Sequence, residues 1–267
     1  MTESKRSLAG NGPHVTEGNR SIAAEGHRNS VARGNPSGVS RAIALALVAT
    51  AACASDVDPP WQLDHDRIIA VRAEPPSIGP GQTSTIEALL GHKGGQTSVA
   101  PPELAVVISP MSLSDVLTIE GGRWVVTAPS EARLASARSE LKLEANVPVP
   151  LQLTVSYAGQ TLIATKIIDL GRAADNPPLN DLMIDDKPAG NGELVVRKLV
   201  NVPLSVTADD TAFDVTWLTS CGTMHDFDLP NAYLHVEADD VDAGELAVIV
   251  RDANRGVSWK LWSIRAE

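Results

Sequence analysis

Cysteine is almost missing from this chain. Two in 267 residues, Cys53 and Cys221, exclude a disulfide-dense scaffold. Aromatic residues make up 3%, so apolar content rests on Ala, Val, Leu and Ile, and most of the Val and Ile follow residue 60. Basic charge is also short. Lys and Arg number 22 against 33 Asp and Glu, for a formal net charge of −11. Residues 1–53 hold six Lys/Arg and three Asp/Glu, so the remaining chain carries −14. An acidic body without a basic patch or a basic stretch interleaved with aromatics argues against electrostatic nucleic-acid binding. Long hydrophobic runs are missing as well. The stretch 42–52 lacks charge for eleven residues, where a spanning helix needs about 20 apolar residues. "GHKGGQT" (91–97) lacks the spacing of a phosphate-cradling loop.

What is present begins with that short run. In "RAIALALVATAACASDVDPPW" (41–61), Arg33 and Arg41 precede an apolar segment that ends in small residues. This is the layout of a secretory signal, whose apolar region is about 7–15 residues long. Thr50-Ala51-Ala52-Cys53 resembles a bacterial lipoprotein signal, in which small residues precede the cysteine that becomes the lipidated mature N-terminus. Leu is usual three positions before that cysteine, and Thr50 departs from it. An ordinary A-x-A cleavage site nearby is the rival, and a buried Ala-rich helix the bland alternative. Residues 1–40 are polar, rich in Gly, Ser and Asn, and without hydrophobic period, as disordered sequence is. They read as a disordered extension, or as sequence upstream of a true start at Val31 or Val39.

After Cys53 the acidic "ASDVDPPWQLDHD" (54–66) reads as a tether. Then a period of two sets in. "RIIAVRAEPPSIGPGQTSTIEALL" (67–90) gives one strand through Ile69, Val71 and Ala73, and a second with Ser84, Ile86, Ala88 and Leu90 on one face. "VPVPLQLTVSY" (147–157) alternates, and Pro148 and Pro150 place its start at an edge. Ala158-Gly159 turns into "QTLIATKIIDL". Short strands fit 104–108, 116–119 and 124–127, and a short helix capped by Ser130 fits 130–140. About seven strands in roughly 100 residues suit a sandwich over 67–171. "GRAADNPPLND" (171–181) reads as a linker over 172–181, and the pattern restarts over 182–267. Val200, Val202, Leu204, Val206 and Ala208 share one face, as do Phe213, Val215 and Trp217. "ELAVIV" and "VSWKLWSI" flank "RDANRG", a hairpin with Asn254 and Gly256 available for positive φ.

The first of these stretches, with "FDVTWLTSCGTM" (213–224) and "AVIVRDANRGVSW" (247–259), is similar to the Ig-like modules of envelope lipoproteins of myxobacteria and related bacteria. The resemblance implies an all-β protein: two Ig-like β-sandwich domains in tandem after a disordered N-terminus and signal segment. It also implies a membrane anchor at Cys53, an outer-membrane location, and a binding or structural role toward an envelope protein or glycan. The Cys–Trp–Cys spacing of antibody-type domains is not present.

Two rival chemistries remain. "TSCGTMHDFD" (219–228) groups Cys221, His225, Asp226 and Asp228, the residue types of a thiol nucleophile with its base and orienting acid. No helix N-terminus or cationic surrounding there lowers the thiol pKa. Cys221 with His225 or His235 lacks the second pair of a zinc site. The acidic "TADDTAFD" (207–214) and "VEADDVDAGE" (236–245) offer hard oxygen ligands for calcium, although Asp also closes ordinary turns. The expectation is no catalytic residue, no metal, no cofactor, and a single lipidation site at Cys53.

Overall fold

The computed structural model describes residues 59–207 and 214–267. The 1–40 extension, the signal segment, Cys53, Ala208 and Phe213 lie outside the described residues. The first module contains β1 (Arg67–Glu74), β2 (Ser77–Ile78), β3 (Thr83–Gly91), β4 (Ser98–Ala100), β5 (Leu104–Ser109), β6 (Leu117–Glu120), β7 (Arg123–Thr127), α1 (Glu131–Leu141), β8 (Val149–Tyr157) and β9 (Leu162–Leu170). One sheet runs β1-β3-β7-β6 with β4 on β3, and the other runs β2-β9-β8-β5. Between them lie Ile86, Ala88, Leu151, Leu153, Val155, Tyr157 and Ile168, all buried. The period of two puts them there, because alternate side chains of a strand share a face.

The second module contains β10 (Asn180–Ile184), β11 (Lys187–Pro188), β12 (Leu194–Val196), β13 (Val202–Thr207), β14 (Asp214–Thr219), β15 (Thr223–His225), β16 (Asn231–His235), β17 (Ala243–Arg251) and β18 (Val257–Ala266). Its sheets run β11-β10-β13-β16-β15 and β12-β18-β17-β14. Trp217 is fully buried between them with Val215, Val248, Val250 and Trp262. The chain is thus all-β, two Ig-like sandwiches in tandem.

Several local expectations differ from what is observed. Ser130 occupies the N-cap of α1, but its side chain makes no cap hydrogen bond. Val200 lies outside β13 and is 39% exposed. In the β17–β18 turn neither Asn254 nor Gly256 has positive φ; Arg255 does, at 66°. Gly256 serves close approach instead, since a Cβ there would sit 2.7 Å from Pro177 Cδ.

The largest difference lies at the junction. Leu63, Ala70, Leu89, Leu218, Ala247, Ile249 and Val257 form a third buried cluster, built from the outer faces of β1 and β3 on one side and β14, β17 and β18 on the other. A β-bulge in β1 makes this possible: Ile68 pairs with Leu90 and Ala70 with Leu89, leaving Ile69 unpaired. Beyond such an extra residue the side chains change face. Ile68, Val71 and Ala73 therefore pack on the first module's core, whereas Ile69 and Ala70 pack on the junction. Each fully buried Leu or Ile contributes about 1.5–3 kcal/mol. Leu89, Leu218 and Ile249 together rival the net stability of a whole domain, about 5–15 kcal/mol. The described residues accordingly belong to one compact unit.

The segments expected to be loose are held at this junction. Gln62 bridges in parallel to Thr219, Leu63 N–H donates to the Thr219 carbonyl at 2.9 Å, and Leu63 is buried. In the 172–181 segment, Asn176 Nδ2 donates to the Ala73 carbonyl at 2.9 Å, and its Oδ1 accepts from Val257 N–H at 2.8 Å.

Candidate functional site

The thiol loop does not assemble catalytic machinery. Cys221 is fully buried, and its Sγ donates to the Val241 carbonyl at 3.1 Å. Burial pushes the thiol pKa up; Asp240 and Asp242 push the same way, while Lys198 opposes them. His225 is exposed in β15 and stacks on Tyr233, ring centroids 4.4 Å apart. Asp226 and Asp228 are exposed turn residues. A buried thiol whose pKa is pushed up is a poor nucleophile.

The acidic 236–245 loop is organised around a lysine. Lys198 Nζ donates to the Ala238 carbonyl at 3.1 Å and the Asp240 carbonyl at 2.8 Å, and pairs with Asp242 at 2.7 Å. The ammonium takes the oxygen ligands that a calcium ion would need. His235 turns instead to Asn201, 2.6 Å from Nδ1, and to Glu237. No cluster of three or more His, Cys, Asp or Glu positioned to hold a metal occurs among the described residues. Most of 207–214 lies outside them.

The feature that sequence reading missed is a cleft of about 540 Å³ where the modules meet. β1 and β9 are neighbouring edges of the first module's two sheets; residues 162–168 of β9 pair only with β8. Between those edges the sandwich is laterally open, and the β17–β18 hairpin of the second module lies across the opening. Arg67 and Lys166 line the cleft from the first module, Arg251 and Arg255 from the second, and none of its lining residues is acidic. In a chain of net charge −11, four cations lining one cleft, two from each module, are a local concentration of positive charge.

Lys166 is the unusual member. In "LIATKIIDL" it falls in step with Leu162, Ala164, Ile168 and Leu170, the core-facing set of β9. It is opposite Leu153 in the ladder and only 6% exposed. Its Nζ reaches sideways out of the sandwich and donates to the Arg255 carbonyl at 2.8 Å. Desolvation pulls its pKa down to about 8; Asp252 and Asp169 oppose the drop, while Arg251 and Arg255 add to it. Both carboxylates are engaged elsewhere. Asp169 pairs with Arg255, and Asp252 Oδ1 accepts from Gly256 N–H at 2.7 Å. A charge at an apolar beat of the strand period was the signal that could have exposed it.

The arginines are positioned by backbone carbonyls. Arg251 Nη2 donates to Ile69, the bulge residue, at 3.1 Å, and its Nη1 to Thr216 Oγ1 at 3.1 Å. Arg67 donates to the Pro60 and Gln62 carbonyls, and burial lowers its pKa against the pull of Asp64. Arg67 Nε is buried without a hydrogen-bond partner among the described residues. Carbonyls fix Arg67 and Arg251 in place, while Arg251 also pairs with Asp214 at 3.6 Å and Arg255 with Asp169.

No protein-family model matches the chain, and no curated protein matches it. Similar solved structures include the two tandem V-type regions of a v-region-containing chitin binding protein, 10% identical over 74% of this chain and 99% of that one, TM-score 0.32. Another is the N-terminal Ig1-2 module of the Drosophila receptor protein tyrosine phosphatase DLAR, 12% identical over 76% of this chain and all of that one, TM-score 0.27. A nucleoside hydrolase-related hypothetical protein from Saccharophagus degradans, associated with carbohydrate metabolism, is 7% identical at a TM-score of 0.28. That match covers 39% of this chain and 35% of the other, so the chain spans about a third of its length.

Proposed function

We propose that the protein is an exported, lipid-anchored component of the cell envelope, with a non-catalytic binding or structural role. The observation that carries the binding role is the junction. An outer-face core fixes two sandwiches against each other, and a cationic cleft opens where they meet. Joined modules hold a composite site at fixed geometry, whereas freely hinged ones would lose ordering entropy on each binding event. The packing and raised pKa of Cys221 speak against thiol chemistry in the 219–228 loop.

The anchor rests on the sequence around Cys53. On this reading the Cys53 thiol carries diacylglycerol through a thioether, and the chain is cut after Ala52. Each buried methylene adds about 0.8 kcal/mol, so two or three acyl chains hold firmly where one would not. Ala54 and Ser55 follow the cysteine, a pattern that by resemblance directs the protein to the outer membrane. Mass spectrometry of the membrane fraction, beside a Cys53→Ser variant, tests it. The expected result is a wild-type N-terminus at lipidated Cys53 and a variant released from membranes. A soluble wild-type chain that begins elsewhere, or a variant still attached, would overturn it.

A further inference from the structure

We propose that the junction cleft is a binding site for a small organic acid: a carboxylate head held by Arg67, Lys166, Arg251 and Arg255, with an apolar body against Ile69 and Ile163. The inference deepens the binding role proposed above and does not use the Cys53 anchor. Three features point the same way. The cleft is large enough for a molecule of moderate size, and its lining supplies cations and aliphatic carbons; Arg251 and Arg255 pair with Asp214 and Asp169 outside that lining, whereas Lys166 has no ion-pair partner among the described residues. Ile163 is 66% exposed there, an apolar side chain left in water on a strand whose outer edge has no partner strand along 162–168. Lys166 is the third. An ammonium at a core position is costly to hold, and here its hydrogen-bond partner among the described residues is a neutral carbonyl. A bound carboxylate would supply the counter-charge that the protein itself does not bring into contact, and Arg forks match carboxylate geometry.

The groups that face Lys166 fix the sign of the pH response. Asp169 lies on β9 itself, Arg251 on β17, Asp252 and Arg255 in the hairpin turn, and Arg67 on β1. The β8 residues around its ladder partner, Gln152, Leu153 and Thr154, are uncharged. The carboxylate of a bound acid stays ionised from pH 7 to 9.5. Lys166, with a pKa of about 8, loses its charge across that range. Acid binding therefore weakens as pH rises through 8.

The test is isothermal titration of the full chain with octanoate, beside octanol as the neutral analogue of the same length. Octanoate should bind at pH 7 while octanol at equal concentration binds at least tenfold more weakly. Lys166→Gln and Arg251→Gln should each weaken octanoate about tenfold or more, the scale of one lost charge-assisted hydrogen bond. Wild-type affinity should fall between pH 7 and 9.5, and Lys166→Gln should show no such fall. The wild-type pH profile stands even if Arg251→Gln disturbs the junction. Absence of octanoate binding, octanol binding as tight, or full affinity in a folded Lys166→Gln protein would each overturn the proposal. Failure here with Cys53 still lipidated removes the ligand class and leaves the anchor. Loss of the anchor leaves this site untouched.

Discussion

Arg251 of the second module donates from Nη2 to the carbonyl of Ile69, 182 positions earlier in the chain, at 3.1 Å. Ile69 is the bulge residue of β1 and stands outside the β1–β3 ladder. One module thus completes the backbone hydrogen bonding of the other, at the wall of the cleft. Elsewhere between the modules Arg72 lies over the Trp259 ring at 4.2 Å, and Thr97 N–H donates to Glu245 Oε2 at 2.7 Å. The modules are coupled by polar as well as apolar contacts.

Ile249 lies on the outer face of β17 and is fully buried. Ile249→Ala should cost about 2–4 kcal/mol in urea unfolding, the range for a large-to-small change in a core. A value under about 0.5 kcal/mol, as at an ordinary surface position, would mean that the outer faces are not packed together in solution.

Gly256→Ala should destabilise by about 1–3 kcal/mol, the scale of overpacking. The new Cβ would lie 2.7 Å from Pro177 Cδ and 3.0 Å from Asp252 Oδ2. Because the residue does not have positive φ, lost space and not backbone strain is the cause. Denaturant melts read this directly, and an unchanged midpoint would show that the 172–181 segment can move aside.

Lys166→Met should stabilise the protein at pH 7. The folded-state pKa of about 8 lies below the ordinary 10.5, so the folded protein binds fewer protons than the unfolded chain between these values. The cost of the buried ammonium is therefore fully present below pH 8 and is removed as pH rises toward 10.5. About 1.4 kcal/mol per pKa unit makes it on the order of 3 kcal/mol. The stability gap between variant and wild type should shrink from pH 7 to pH 10.5. A gap that stays constant would place Lys166 in water.

Limited proteolysis should spare the 172–181 segment. Its Pro pair and polar residues read as an exposed linker, but Asn176 ties it to both modules, and the Ala174 N–H donates to the Ser77 carbonyl at 3.1 Å. Cleavage needs backbone that can leave its hydrogen bonds. A first cut inside 172–181 would contradict this.

Alternation in "VPLQLTVSY" and "NVPLSVT" made the inner faces legible, because one polar face and one apolar face are the mark of a half-buried strand. Burial of Trp217 followed from the same rule. The junction was less visible. "ELAVIV" is apolar at every beat after Glu245, the pattern of a strand covered on both sides, and Ala247 and Ile249 face the first module as Leu246, Val248 and Val250 face the second core. The bulge at Ile69 breaks parity where "RIIAV" reads as regular, since β-branched residues there satisfy either face. Lys166 escaped because a single lysine among eight other strand residues looks like a solvent-facing charge. Which cations converge on one cleft depends on how the two modules dock, and no local pattern carries that.

The central claim is that both sandwiches form one body around a composite cleft. Differential scanning calorimetry of the full chain tests it most directly. A shared outer-face core predicts one transition for the two modules, with calorimetric and van't Hoff enthalpies in agreement, and a single upward shift with Lys166→Met at pH 7. Two resolved transitions, with Lys166→Met moving one and Trp217→Ala moving only the other, would contradict it.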